Sequence, residues 1–253
     1  MVLTTKTFLI VCPLLFLAGF VDAIGGGGGL ISLPAYLLAG LPAHQAIATN
    51  KMSSTCGTAL ATARFIQKGL VNWRLAVPTI IAAVCGSSLG ANASLAMPET
   101  LMQGLLLIVL PIAAFIVLNP KLFRDNADQA LELNKKTWIT ALCSALAIGF
   151  YDGFYGPGTG TFLIIAFSVF AGMGLRNANA QAKIINLTTN LTSLTIFLLD
   201  GQVLLPLGLA AAVCNMAGNY LGAGLALSKG SRVTRPVIIA VLGLLLLRVL
   251  GVI

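Results

Sequence analysis

Residues 39–51 (AGLPAHQAIATNK) line up with residues 171–183 (AGMGLRNANAQAK), 132 positions further along. The register persists. Gly69 meets Gly201, Gly86 meets Gly218, and Leu89-Gly90-Ala91 meets Leu221-Gly222-Ala223. Near the start, Gly19-Phe20-Val21-Asp22 recurs as Gly149-Phe150-Tyr151-Asp152. A duplication of this length makes the chain two copies of one structural unit. The chain is 58% hydrophobic and 9% charged, whereas a soluble domain carries about 25% charged residues. A repeat in so apolar a chain points to an integral membrane protein, specifically a secondary transporter whose site lies where the two repeats meet.

Each half divides into five apolar segments: 8–23, 29–40, 43–68, 72–96 and 99–119, then 137–152, 160–172, 176–199, 203–228 and 231–251. Residues 1–119 therefore form a first transmembrane repeat and 137–253 a second. The polar stretch 120–136 is a cytoplasmic linker. The loops orient the halves. Arg64, Lys68 and Arg74 crowd the link between the third and fourth segments of the first half, and the next link holds only Glu99. In the second half the earlier link holds only Asp200, and Lys229, Arg232 and Arg235 crowd the later one. Positive loops stay cytoplasmic, so equivalent loops lie on opposite faces and the repeats are inverted. Trp73 and Trp138 flank cytoplasmic loops, and both termini fall on the outer, periplasmic side. Residues 1–23 have the outline of a signal peptide, but the recurrence of Gly19–Asp22 at Gly149–Asp152 assigns them to the repeat.

The first two segments of each half look short for a full crossing. Segment 8–23 spans about 24 Å and 29–40 about 18 Å, against a hydrocarbon core of about 30 Å. Glycine joins them: Gly25-Gly26-Gly27-Gly28-Gly29 in one half, Gly156-Pro157-Gly158-Thr159-Gly160 in the other. The expectation is an all-α membrane protein with two inverted repeats of five segments, each with a Gly-broken hairpin, the two tips meeting near the midplane. Strongly tilted full crossings are the alternative.

A helix that starts at such a tip aims free N–H groups and the positive end of its dipole inward, and glycine lets a ligand approach the backbone. Gly27, Gly28, Gly29, Gly158 and Gly160 are thus candidate anion ligands; close helix packing is the competing use of the same glycines. The third segment of each half carries a polar patch, Thr49-Asn50-Lys51 with Ser53, Ser54 and Thr55, matched by Gln181, Lys183, Asn186, Thr188, Thr189 and Asn190. Lysines this deep are costly unless paired or hydrated. Asn50, Lys51, Lys183, Asn186 and Asn190 are accordingly candidate substrate-binding residues, with snorkelling or structural ion pairing as the alternatives. Asp22 and Asp152, each just before its glycine run, are candidate proton carriers, because a carboxyl in a low-dielectric site can exchange a proton near neutrality. They serve equally well as helix caps or as partners that neutralise Lys51 and Lys183.

Other classes fit poorly. The net charge of +8 sits mostly in loops facing an anionic leaflet, which accounts for it without nucleic acid. The five cysteines are widely spaced inside apolar segments and His44 is the one histidine, so neither a metal site nor another cofactor is expected. Gly86-Ser87-Ser88-Leu89-Gly90 matches a hydrolase elbow, but it lies in an apolar helical segment, and its counterpart Gly218-Asn219-Tyr220-Leu221-Gly222 lacks the serine; both read as helix-packing faces. Asn190-Leu191-Thr192 is a glycosylation sequon at membrane depth and carries no weight. No enzymatic activity is expected.

Four stretches carry a resemblance: Asp22-Ala23-Ile24-Gly25-Gly26-Gly27-Gly28, Ala48-Thr49-Asn50-Lys51, Phe150-Tyr151-Asp152-Gly153-Phe154-Tyr155-Gly156-Pro157, and Ala182-Lys183-Ile184-Ile185-Asn186. With them the chain resembles the TauE/SafE sulfite exporter family. That resemblance implies a bacterial inner-membrane transporter of sulfite, sulfonates or related organic anions. The expected activity is proton-coupled export of a small sulfur-containing oxyanion by alternating access, with an anion channel as the alternative. Expected partners are the small anionic substrate and membrane lipids, and a homodimer is left open.

Overall fold

The computed structural model describes residues 4–98, 101, 133–230, 232, 233, 236 and 237. Among these the chain is helical, with no strand. The helices are α1 (Thr5–Gly25), α2 (Gly29–Leu38), α3 (Ala43–Gln67), α4 (Trp73–Ala96), α5 (Lys135–Phe154), α6 (Thr159–Ile165, continuing as a π-helical turn over Ala166–Phe170), α7 (Leu175–Leu199) and α8 (Leu205–Lys229). By length and hydropathy α1, α4 and α7 can each cross a membrane, while α2 and the α6 segment are shorter apolar helices. Apart from residues 101, 232, 233, 236 and 237, the expected fifth segments, 99–119 and 231–251, lie outside the described residues, as does most of the linker 120–136.

Local chemistry sets the boundaries. Asn72 and Asn134 cap α4 and α5, their side-chain oxygens accepting from Leu75 N at 3.3 Å and Thr137 N at 2.9 Å. The Asn134 cap puts Lys135 and Lys136 in the first turn of α5 rather than in the linker. At the other end of α1, Gly26 adopts φ 78° and donates its N–H to the Asp22 carbonyl at 2.8 Å, a left-handed terminus. Gly25 is therefore helical, and α1 has 21 residues, about 32 Å. This corrects the sequence expectation: α1 and α5 are not short. Only the return helices are. The ten residues of α2 reach about 15 Å.

Contacts fix the helix directions. A Cβ built on Gly218 would lie 2.0 Å from the Phe16 carbonyl oxygen, and one on Gly222 2.3 Å from that of Phe20. The two helices advance together, so α1 and α8 run parallel with backbones in near contact. In the same way Gly86 meets the Leu146 carbonyl oxygen at 2.2 Å and Gly90 that of Phe150 at 2.0 Å, so α4 and α5 are parallel. Residues 16, 20, 218 and 222 are the repeat counterparts of 146, 150, 86 and 90. Thr49 bonds Leu204 N at one end of α3 and Arg64 bonds the Tyr220 carbonyl near the other, which makes α3 parallel to α8. Asn72 N donates to Gln181 and Ser87 to the Thr189 carbonyl, which makes α4 parallel to α7. Between α3 and α7 the order reverses, with Lys51 on Asn190 and Thr62 on the Lys183 carbonyl.

So α1, α3 and α8 run one way and α4, α5 and α7 the other. The C-termini of α3 and α8 and the N-termini of α4, α5 and α7 share one end of the bundle. That end collects Arg64, Lys68, Arg74, Lys135, Lys136, Arg176 and Lys229. Lys6, His44 and Asp200 mark the opposite end.

Candidate functional site

The two glycine runs meet backbone to backbone. A Cβ on Gly26 would lie 2.2 Å from the Gly160 carbonyl carbon, and one on Gly29 2.9 Å from Pro157 Cα. Thr161 Oγ1 donates to the Gly25 carbonyl at 2.7 Å, tying the start of α6 to the end of α1. No side chain fits between the runs, so close packing is one reason for these glycines. It does not exhaust them, because the same backbone also walls a polar cavity.

Two buried ion pairs flank the contact, and each crosses between the halves. Lys51 Nζ on α3 lies 2.9 Å from Asp152 Oδ2 on α5. Lys183 Nζ on α7 lies 2.6 Å from Asp22 Oδ2 on α1. Both lysines are 1% exposed, which excludes snorkelling. The aspartates neutralise the lysines, one of the uses the sequence left open, and each sits in the last turn or two of its helix just before the glycine run.

The pairs are not equivalent. Lys183 donates a directed bond to Asp22 Oδ2 and a second to the Asp22 carbonyl at 2.5 Å. Lys51 directs its bond to Asn190 Oδ1 at 3.1 Å, and Asn190 in turn donates to Asn186 Oδ1 at 3.0 Å. The contact between Lys51 and Asp152 has the distance of an ion pair without the angle of a hydrogen bond. Asp152 Oδ2 is thus sealed from solvent without a directed donor.

Between the tips and the third helix of each half lies a cavity with about 20 Å³ of free volume, room for about one water. Asp22, Gly28, Gly29, Asn50, Lys51, Asp152, Gly160, Asn186 and Asn190 line it. Gly27, Gly158 and Lys183 are buried nearby but are not in its wall. Gly26, Gly156, Ser54, Thr58, Thr159 and Asn215 complete the lining; of these, Gly26, Gly156 and Thr159 lie within the two glycine runs and Ser54 within the polar patch. Asn215 was missed outright. It bonds the Leu15 carbonyl and receives Asn219 Nδ2 at 2.8 Å. Asn179, also missed, donates to the Ala23 and Ile24 carbonyls at 3.2 and 3.1 Å and so caps the end of α1. The signal available was an asparagine inside an apolar helix, where a polar amide needs a partner.

Among the described residues no three His, Cys, Asp or Glu side chains come together in a way that could hold a metal ion. The glycines four apart on α4 and α8 face carbonyls of α5 and α1, and Ser87 is taken up by Thr189 and Ser193. The elbow-like motif is a packing surface.

Residues 11–249 match the family model described as "Sulfite exporter TauE/SafE". A "Probable membrane transporter protein ORF9" from Sinorhizobium is 34% identical over 93% of this chain and 89% of its own length. A "Probable membrane transporter protein" from Haemophilus influenzae is 36% identical over 88% and 87%. The "Probable membrane transporter protein YfcA" of Escherichia coli K12 is 35% identical over 94% and 90%. No solved structure matches the chain.

Proposed function

As a member of the sulfite exporter TauE/SafE family of membrane transporters, the chain has a site that needs a substrate, and we propose that it carries a small sulfur-containing oxyanion, such as sulfite or a sulfonate, out of the cell by proton-coupled alternating access. The observation that carries this reading is the cavity itself, where a buried lysine, a row of asparagines and glycine backbone converge from both halves. A buried ammonium with amide donors suits an oxyanion, and amide donors at glycine tips suit one with no side chain in the way. Asn50, Lys51, Asn186, Asn190, Gly28, Gly29 and Gly160 are the contact residues in this reading. Gly27, Gly158 and Lys183 shape the site from behind, and Asp22 and Asp152 handle the proton.

In this reading residues 1–119 and 137–253 are inverted repeats joined by a cytoplasmic linker. The equivalent glycine contacts of α1 with α8 and of α5 with α4 support it, as do the crosswise ion pairs. The cationic end of the bundle faces the cytoplasm by the positive-inside rule, which puts both termini on the periplasmic side of a bacterial inner membrane among its lipids. A second copy of the chain as partner is compatible with this arrangement. Helix α2, at about 15 Å, reaches about half the hydrocarbon core, which favours re-entrant hairpins over tilted crossings.

A cavity with room for one water is too small for a four-atom oxyanion, so loading requires the helices around it to separate. That favours a carrier over a channel, which would keep a continuous path. The test is uptake of labelled sulfite into everted vesicles, with and without a proton gradient. Saturable, protein-dependent uptake that responds to the gradient is expected. Flux that never saturates and ignores the gradient would assign a channel, and no protein-dependent flux of sulfite or any sulfonate would refute the reading.

A further inference from the structure

The buried charges around the cavity sum to zero: Lys51 and Lys183 against Asp22 and Asp152. The site therefore does not attract an anion by net charge. A monovalent anion arriving alone would leave an unbalanced negative charge among buried groups, and an uncompensated charge at such a place opposes binding strongly. Something positive must arrive with it.

The geometry says where. Lys51 and Asp152 both line the cavity and lie 2.9 Å apart, so an anion seated on the Lys51 ammonium also comes against the Asp152 carboxylate. Asp152 would then face a second negative charge, and a like charge at that range favours the protonated carboxyl. Asp152 is also the acid less firmly held. Lys51 divides its contacts between Asp152 and Asn190 Oδ1, whereas Lys183, which stands outside the cavity wall, gives both of its bonds to Asp22. The groups facing Asp152 are few. Lys51 approaches from α3, Asp22 lies across the cavity on α1 with Lys183 of α7 bound to it, and Tyr151 and Tyr155 flank it on its own segment, the Tyr151 hydroxyl donating to the Pro157 carbonyl. Helix α6 has no titratable side chain, and those of α4, Arg74 and Cys85, are exposed.

We infer that each monovalent anion binds together with one proton, the anion on Lys51 and the proton on the Asp152 carboxylate beside it. This rests on the proton-coupled anion-carrier reading and gives its coupling a site and a stoichiometry. One carboxylate becomes one carboxyl, Lys51 stays an ammonium, and the buried charge is zero before and after loading. Anion and proton then travel in the same direction and the loaded carrier crosses without net charge. Export in this scheme runs down the anion's own gradient and carries one proton out with each anion.

The test is binding of methanesulfonate and isethionate, whose single charge is constant around neutrality, to the purified protein by calorimetry in buffers of different ionisation enthalpy. Expected are one proton taken up per anion bound and an apparent Kd that rises about tenfold per pH unit. Asp152→Asn should bind with an affinity independent of pH and take up no proton. A pH-independent Kd in the wild type would overturn the inference and leave the anion reading standing. Retention of the slope in Asp152→Asn would overturn the assignment to Asp152. If that variant does not fold, the wild-type proton count decides. No binding of either sulfonate at any pH, in a preparation that also fails to bind sulfite, would overturn the anion reading and the inference with it.

Discussion

Gly26→Ala should be among the more damaging single-methyl additions to this chain. Gly26 has φ 78° and its Cβ would lie 2.2 Å from the Gly160 carbonyl carbon. Ordinary carbon contacts begin near 3.5 Å, so the two glycine runs must part by about 1.3 Å. A separation of that size also breaks the 2.7 Å bond from Thr161 to the Gly25 carbonyl, worth about 1 kcal/mol. Overpacking of this kind costs about 1–3 kcal/mol, and the left-handed backbone adds about 1–2 kcal/mol for any residue with a Cβ. Gly69→Ala isolates the backbone part: Gly69 has φ 67° and nothing within 4 Å of its Cβ position. The difference between the two variants, about 2–4 kcal/mol, is then the contact between the tips. It is read as the gap between apparent unfolding midpoints in detergent at one scan rate, with anion flux measured on the same preparations. If Gly26→Ala unfolds no earlier than Gly69→Ala, the glycine runs do not touch and the site has been built wrongly.

Lys51→Ala leaves the Asp152 carboxylate buried without a counterion and should destabilise by about 3–5 kcal/mol. The double variant Lys51→Met with Asp152→Leu should recover much of that stability in the same thermal assay but bind no anion, which separates packing from recognition. Lys51→Arg should support anion binding poorly, since a planar guanidinium does not fit a space shaped for an ammonium. Single cysteines in a cysteine-free background should label from the cytoplasm at positions 68 and 232 and from outside at positions 99 and 202. Labelling of 68 and 202 from one face would end the inverted topology.

The helices, their order and the residues that meet at the cavity were largely legible in the sequence, because duplication let each half check the other. Lysine 51 and lysine 183 stood out as a pair in a way neither would alone. The same habit hid Asn215 and Asn179. Their counterparts are Ala83 and Ile47, so a search for matched pairs passed over them, although Asn215 lines the cavity and Asn179 holds the end of α1. The length of α1 was misjudged at both ends, with Thr5, Lys6 and Thr7 added at its start and Ile24 and Gly25 at its end. A run of five glycines reads as loop, yet the first of them is helical and only the second turns the chain. The asymmetry between the ion pairs was out of reach, since it depends on angles at Asp152 and not on which residues are present.

The crosswise exchange of charges bears on how the protein is made. Synthesis runs from the N-terminus, so the first helices reach the bilayer before the later ones are translated. Asp22 and Lys51 arrive then, on helices that hold them for Lys183 and Asp152, which do not yet exist. Until α5 and α7 follow, a carboxylate and an ammonium wait in the lipid without their intended counterions. Lys51 is matched once α5 follows and Asp22 only once α7 does, so maturation of the early helices waits on insertion of the later ones. A chain that stops before Lys183 keeps the Asp22 carboxylate without its counterion.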